Sequence, residues 1–236
     1  MWTRRQFLQS LSATAALLTV ADGSNAFVDV PAMSEEMQRK MTPEQALARL
    51  REGNERFVGG KMLDRNLVAQ VHATARGQYP FAAVLGCIDS RVPPELVFDQ
   101  GIGDIFAPRI AGNFANTDII GSLEFATKLA GAKLILVLGH TECGAIKGAC
   151  DNAQLGTLTA TLSNLAPAVY AATGAAGDRS SKNPAFVQEV AEQNVRLTVE
   201  ALTERSAILR DLVHGNQLQV VGAMHDVGTG RVSLPG

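Results

Sequence analysis

Two short segments constrain this chain more than any other feature: FAAVLG at residues 81–86 and KLILVL at 133–138. Each is a nearly unbroken apolar run, and Pro80, Gly86 and Gly139 punctuate them. Strands buried on both faces read this way, and they occur in parallel sheets covered by helices. The rest of the chain agrees. A strand is expected near 104–107, a helix over 117–130 and a last strand at 218–224, with helical regions near 157–172 and 184–213. Before the first strand, PEQALARLREGNERFVGG opens with Pro43, repeats Ala46, Leu47, Leu50 and Phe57 at helical spacing and closes on two glycines. A second helix is expected around Leu67–Arg76. The fold class is therefore α/β, a single domain with a mostly parallel central sheet flanked by helices.

Both buried strands end in chemistry. Cys87, Asp89 and Arg91 follow the first, and Pro93 and Pro94 then favour a short helix from Glu95. The second ends at Gly139, and its turn carries His140 and Cys143 before Gly144 and a helix. Open α/β sheets hold their ligands at this carboxyl edge. Two thiolates and an imidazole are good ligands for zinc, and three protein ligands leave a fourth position open, as catalytic sites do. Taken singly, each residue has a plainer reading. A cysteine at a strand end is usually a small buried hydrophobe, Asp89–Ser90 could cap a helix, and Arg91 could be a surface charge. The convergence of both strand ends favours the metal.

The cysteine count supports this. Three is odd, which argues against a disulfide framework. Cys150, seven residues beyond Cys143 on the following helix, reads as packing.

The amino end has a different character. Arg4 and Arg5 precede an apolar run from Leu11 to Val20 and a small-residue site at Ser24–Ala26. That order is a twin-arginine export signal over residues 1–26, and the run is too short to span a bilayer with ease. Periplasmic or secreted localisation is the expectation. Residues 27–41 read as a polar leader without a pattern, and 42–236 as the domain. Loss of Arg4, Arg5 and Asp22 would move the formal charge of −2 one unit further negative. With no basic run, a nucleic-acid partner is not expected.

CIDSR at the first strand end and HTECGAI at the second resemble the β-class carbonic anhydrases. GNERF, GQYP, RIAGNF and VVGAMHDVGTGRV extend the likeness over roughly residues 42–234. The resemblance implies one zinc ion on Cys87, His140 and Cys143, and reversible hydration of carbon dioxide to bicarbonate and a proton. Zinc would make hydroxide available near neutral pH to attack the carbon. Two thiolates neutralise much of the ion's charge, so its water should be less acidic than in a three-histidine site. Asp89 would accept a hydrogen bond from the hydroxide and aim its lone pair, with Arg91 fixing the carboxylate.

For the substrate, the family pattern places Gln78 and the Gly144 N–H as donors, and Phe106, Ala111 and Phe125 as apolar walls. Phe106 and Phe125 would equally pass as core residues. The resemblance also implies a homodimer or a dimer of dimers, with the N-terminal helices, about 43–76, wrapping the partner. A small-molecule substrate is expected, and no membrane partner after signal cleavage. Hydrolysis of carbonyl sulfide or carbon disulfide on the same scaffold is a competing reading, and a non-catalytic zinc or thiol module is another.

His72 and His214 lie in polar helical contexts and read as solvated; a proton shuttle is not assigned. Some members of the family have a closed state in which the aspartate becomes the fourth zinc ligand, stabilised by bicarbonate at a site with tryptophan, arginine and tyrosine. Here those positions are Val84, Arg109 and His225. With two of the three replaced, Asp89 is expected on Arg91 rather than in a closed state.

Overall fold

The computed structural model describes residues 30–233, and the expected export signal at 1–26 lies outside them. Before the first strand come helices α1 (Glu35–Lys40), α2 (Pro43–Val58) and α3 (Leu67–Thr74). Then follow β1 (Ala82–Gly86), α4 (Pro94–Val97), β2 (Ile105–Phe106) and α5 (Thr117–Glu124), which continues as a π-helical turn over Phe125–Leu129. The second half runs β3 (Leu134–His140), α6 (Gly144–Cys150), α7 (Gly156–Ser163), α8 (Ala166–Ala171), α9 (Pro184–Arg205), α10 (Ala207–His214), β4 (Gln219–His225) and β5 (Val232–Ser233). The sheet order is β2-β1-β3-β4-β5, parallel except for β5.

Side-chain alternation divides the core into two layers. Ala83, Leu85, Ile135 and Val137 face one side, under α9 and the helices around it. Ala82, Val84, Leu134, Leu136 and Leu138 face the other, with Ala46, Leu47 and Leu50 of α2 and with Phe98. Every residue of β1 and β3 is buried, as their apolar composition requires. Register fixes the site. Gly86 pairs with Leu138, so Cys87 and His140 leave the sheet at nearly the same level. Gly139 packs closely: a Cβ there would meet Val195 Cγ2 at 2.5 Å and Met224 Sδ at 2.7 Å, so those side chains would have to shift.

Some sequence expectations are corrected. The leader contains α1: Ser34 Oγ accepts from Met37 N, acidic residues occupy the first turn and basic residues the last. Gln38 then donates to Pro80 O and Ala130 O, both at 2.7 Å, and ties the segment to the domain. The helical region at 157–172 breaks before Pro167, which lacks the N–H an interior turn needs. The region at 184–213 breaks at Ser206, whose backbone is extended and whose Oγ accepts from Leu209 N to start α10. The plainer reading of Asp89–Ser90 as a helix cap is not realised, since α4 begins at Pro94 behind Pro93.

Candidate metal centre

Cys87, His140 and Cys143 converge at the carboxyl edge of β1 and β3. All three are buried, and their ligand atoms lie within 4.8 Å of one another. The two sulfurs are 4.0 Å apart, about twice a disulfide bond length, and both cysteines are free. His140 Nδ1 lies 2.8 Å from Thr141 O. A carbonyl only accepts, so Nδ1 carries the proton and Nε2 keeps its lone pair. That Nε2 is buried with no hydrogen-bond partner. A buried orphaned nitrogen facing two thiols is an unfavourable arrangement for a metal-free core and a fitting one for a cation. The donor set, two sulfurs and one imidazole, suits zinc.

The thiols perturb one another. Cys87 is held below the usual thiol range, chiefly by its contact with the Cys143 sulfur, with the Gly112 N–H adding to it against burial. The same contact and burial push Cys143 up.

Asp89 sits beside the cluster, with Oδ2 4.0 Å from His140 Nε2. Arg91 holds its carboxylate from two sides, Nε to Oδ1 at 2.9 Å and Nη2 to Oδ2 at 2.8 Å. The Arg91 backbone N–H also donates to Oδ1 at 3.0 Å. Arg91's hydrogen bonds hold the Asp89 carboxyl well below the usual carboxylate range, although partial burial opposes them. Arg91 reaches Glu142 O at 3.2 Å, on the turn that carries Cys143, and so spans both ligand loops.

Two supports were not assigned this role from sequence. Arg109 Nε donates to Cys87 O at 2.7 Å and its Nη2 to Asp89 O at 2.5 Å, clamping the first ligand loop. The Gly112 N–H donates to Cys87 Sγ at 3.3 Å. Only the RIAGNF stretch could have pointed to them, and it names neither contact.

The expected substrate residues are not all gathered here. Gly144 opens α6 directly after Cys143. Ala111 is half-buried, beside Gly112. Phe106 and Phe125 pack edge to face with ring centroids 6.2 Å apart, and Phe125 is half exposed. They line a depression with Pro108, Thr117 and Gly121 on the β2 side of the sheet. Gln78 is exposed and precedes β1, whereas Cys87 follows it. A strand of that length spans about 17 Å, so one chain places its own Gln78 at the opposite edge from its ligands.

His225, paired with His140 across β3 and β4, is buried with neither ring nitrogen hydrogen-bonded, and burial lowers its pKa. Val84 is wholly buried. His72 and His214 are exposed, and Cys150 packs against the α9 side of the core.

Comparison with known proteins gives a consistent result. A sequence model of the carbonic anhydrase family matches residues 82–232. "Carbonic anhydrase 2" of Mycobacterium tuberculosis is 36% identical over 198 residues, covering 81% of this chain and 92% of that protein. The β-carbonic anhydrase CafA of Aspergillus fumigatus superposes with a TM-score of 0.62 at 27% identity, over 81% of this chain and 89% of that one. A tetrameric β-carbonic anhydrase of Sordaria macrospora superposes at 0.60 with 26% identity, over 72% and 90%. With its parallel sheet, its Cys-His-Cys cluster and these relatives, the chain belongs to the β-carbonic anhydrase family.

Proposed function

We propose that this chain hydrates carbon dioxide reversibly, giving bicarbonate and a proton, with one zinc held by Cys87, His140 and Cys143. The observation that carries this reading is the orphaned, buried Nε2 of His140 facing two thiols, with a fixed carboxylate 4.0 Å away. Zinc, when bound, supplies the Lewis acidity that makes hydroxide available near neutral pH. Asp89 stays ionised and accepts a hydrogen bond from the attacking oxygen, which turns that oxygen's lone pair toward the substrate carbon. Arg91 occupies both carboxylate oxygens and so fixes the plane of Asp89. The Gly144 N–H donates to the oxygen that becomes negative as carbon dioxide turns into bicarbonate.

Gln78 and the Phe106–Phe125 pair complete the substrate pocket in a homodimer, or a dimer of dimers, in which a second copy delivers its Gln78. Two features support that assembly. Gln78 lies at the wrong edge of its own sheet, and Leu67, Val68 and Val71 of α3, with Phe125 and Leu129, are left at least half exposed. Uncovered apolar surface of this kind marks an interface. Asp89 remains on Arg91 because Val84 and His225 leave little of a bicarbonate site to favour closure.

Residues 1–26 direct twin-arginine export to the periplasm or beyond. Their paired arginines and apolar run support this, and retention of an Arg4→Lys/Arg5→Lys chain in the cytoplasm tests it. For the activity, stopped-flow hydration before and after chelation is decisive. Loss on chelation and recovery on adding zinc is expected, and chelator-resistant turnover in metal-free protein contradicts it.

A further inference from the structure

Asn194 sits in the interior of α9, 3% exposed, among Val190, Ala191, Val195 and Thr198. A buried amide on that face is poorly placed unless it has a partner, and asparagine is a weak helix former. Its partner is specific. Asn194 Nδ2 donates to Gly112 O at 2.7 Å, across 82 residues of sequence. Gly112 in turn gives its N–H to Cys87 Sγ at 3.3 Å. The turn between them is tight and has little freedom: Gly112 has φ +84 and a Cβ there would lie 2.8 Å from Leu165 Cδ1. Asn113 N closes the turn onto Ile110 O at 3.0 Å, with φ 43.

We propose that Asn194 is a positioning residue for the metal centre: through Gly112 it holds an N–H on the Cys87 sulfur and so keeps the bound zinc electrophilic. The inference rests on Cys87 being a zinc ligand. A thiolate that accepts a hydrogen bond gives less charge to its metal, and loss of a contact of this outer kind costs about 10–100-fold in metal affinity or activity. In a site with two thiolates this matters more than in one built from neutral imidazoles. Asn194 touches neither substrate nor ligand. It acts by anchoring the Gly112 carbonyl, in the peptide plane that adjoins, through the Gly112 Cα, the one presenting the N–H.

Cobalt(II) is the probe, because its thiolate charge-transfer band reports sulfur donation directly and independently of turnover. The proteins are the full chain, Asn194→Leu and Asn194→Asp, which both remove the amide donor while keeping the same number of side-chain heavy atoms, and Leu202→Ala. Leu202 is buried two turns further along α9 and serves as a control for plain loss of packing. Both Asn194 variants are expected to take up one equivalent of cobalt and to show the band shifted to lower energy. In their zinc forms, kcat at pH 7 should fall several-fold and recover toward the parent value at pH 9. Leu202→Ala should be less stable but spectrally unchanged. If either folded Asn194 variant keeps the parent band and pH profile, or if Leu202→Ala shifts them equally, the inference is wrong. If the parent chain itself binds no cobalt, the metal reading fails first, and this one with it.

Discussion

Replacing Arg109 by alanine removes the fork that ties the first ligand loop to the sheet edge. Its two bonds, to Cys87 O at 2.7 Å and Asp89 O at 2.5 Å, hold the backbone on both sides of Ile88. Hydrogen bonds from a charged donor contribute about 1.5–3 kcal/mol each. Cys87 is buried, so its carbonyl would lose its donor outright. Asp89 is only half-buried, and water can replace part of the second bond. A combined loss of about 2–4 kcal/mol follows. The clamp orders the loop that presents one thiolate and the carboxylate, so the loss should fall mainly on metal affinity. At about 1.4 kcal/mol per factor of ten, zinc should bind roughly 30-fold to several hundred-fold more weakly. Competition with a chromophoric chelator measures this, and urea unfolding of the metal-free chains reports any global cost. Arg109→Lys presents a point charge instead of a planar fork, reaches one carbonyl at a time and should fall between the two. A folded Arg109→Ala chain with zinc affinity within about threefold of the parent would refute the clamp, since a loss that small is under 1 kcal/mol.

If, as proposed, they orient the reacting oxygen and do not hold the ion, Asp89→Ala and Arg91→Ala should each retain a full equivalent of zinc while kcat falls by about 10²-fold or more; metal analysis beside stopped-flow hydration checks both halves. Gln78→Ala and Cys87→Ser should each be inactive alone yet recover about a quarter of parental activity when unfolded and refolded together, since half of randomly formed dimers then contain one complete site. No recovery would mean that Gln78 does not act across an interface. Acid stability should depend on Asp99, which is buried and bonded to Arg65 and, at 2.5 Å, to Arg56. Burial alone would raise this carboxyl, but hydrogen bonds from Arg65, Arg56 and the Leu63 N–H outweigh it and leave the pKa lowered. A lowered folded-state pKa means the stabilisation is complete above the unfolded value near 3.9 and is lost as pH falls through the folded one. Asp99→Asn should therefore be less stable than the parent at pH 7, with a gap that narrows below about pH 4 in urea titrations.

The parts of this protein written as local pattern were legible from sequence. The apolar runs at 81–86 and 133–138 became β1 and β3 because runs this short, bounded by proline and glycine, suit a strand buried on both faces. The Cys87, His140 and Cys143 cluster followed from what stands at their ends. What sequence did not carry was contact across long separations. Arg109 and Asn194 act on the Cys87 loop from 22 and 82 residues away in their bonding partners, and neither residue type announces such a role. Gln78 was placed at the site by family pattern, although its own chain carries it to the far edge of the sheet. Helix α1 was missed because its six residues are polar apart from Met37, and its fit depends on Gln38 reaching carbonyls before β1 and after the π-helical turn. The breaks at Pro167 and Ser206 were legible in principle, the first from proline chemistry and the second from a serine able to cap a new helix.

Zinc K-edge X-ray absorption on the purified full chain, loaded with one equivalent of metal, tests the centre most directly. Two sulfur scatterers at about 2.3 Å with an imidazole nitrogen at about 2.0–2.1 Å are predicted, with one sulfur lost in Cys143→Ser and the imidazole signal lost in His140→Ala. A first shell of nitrogen and oxygen alone, or a two-sulfur spectrum that persists unchanged in both variants, would contradict the assignment of Cys87, His140 and Cys143 as the ligands.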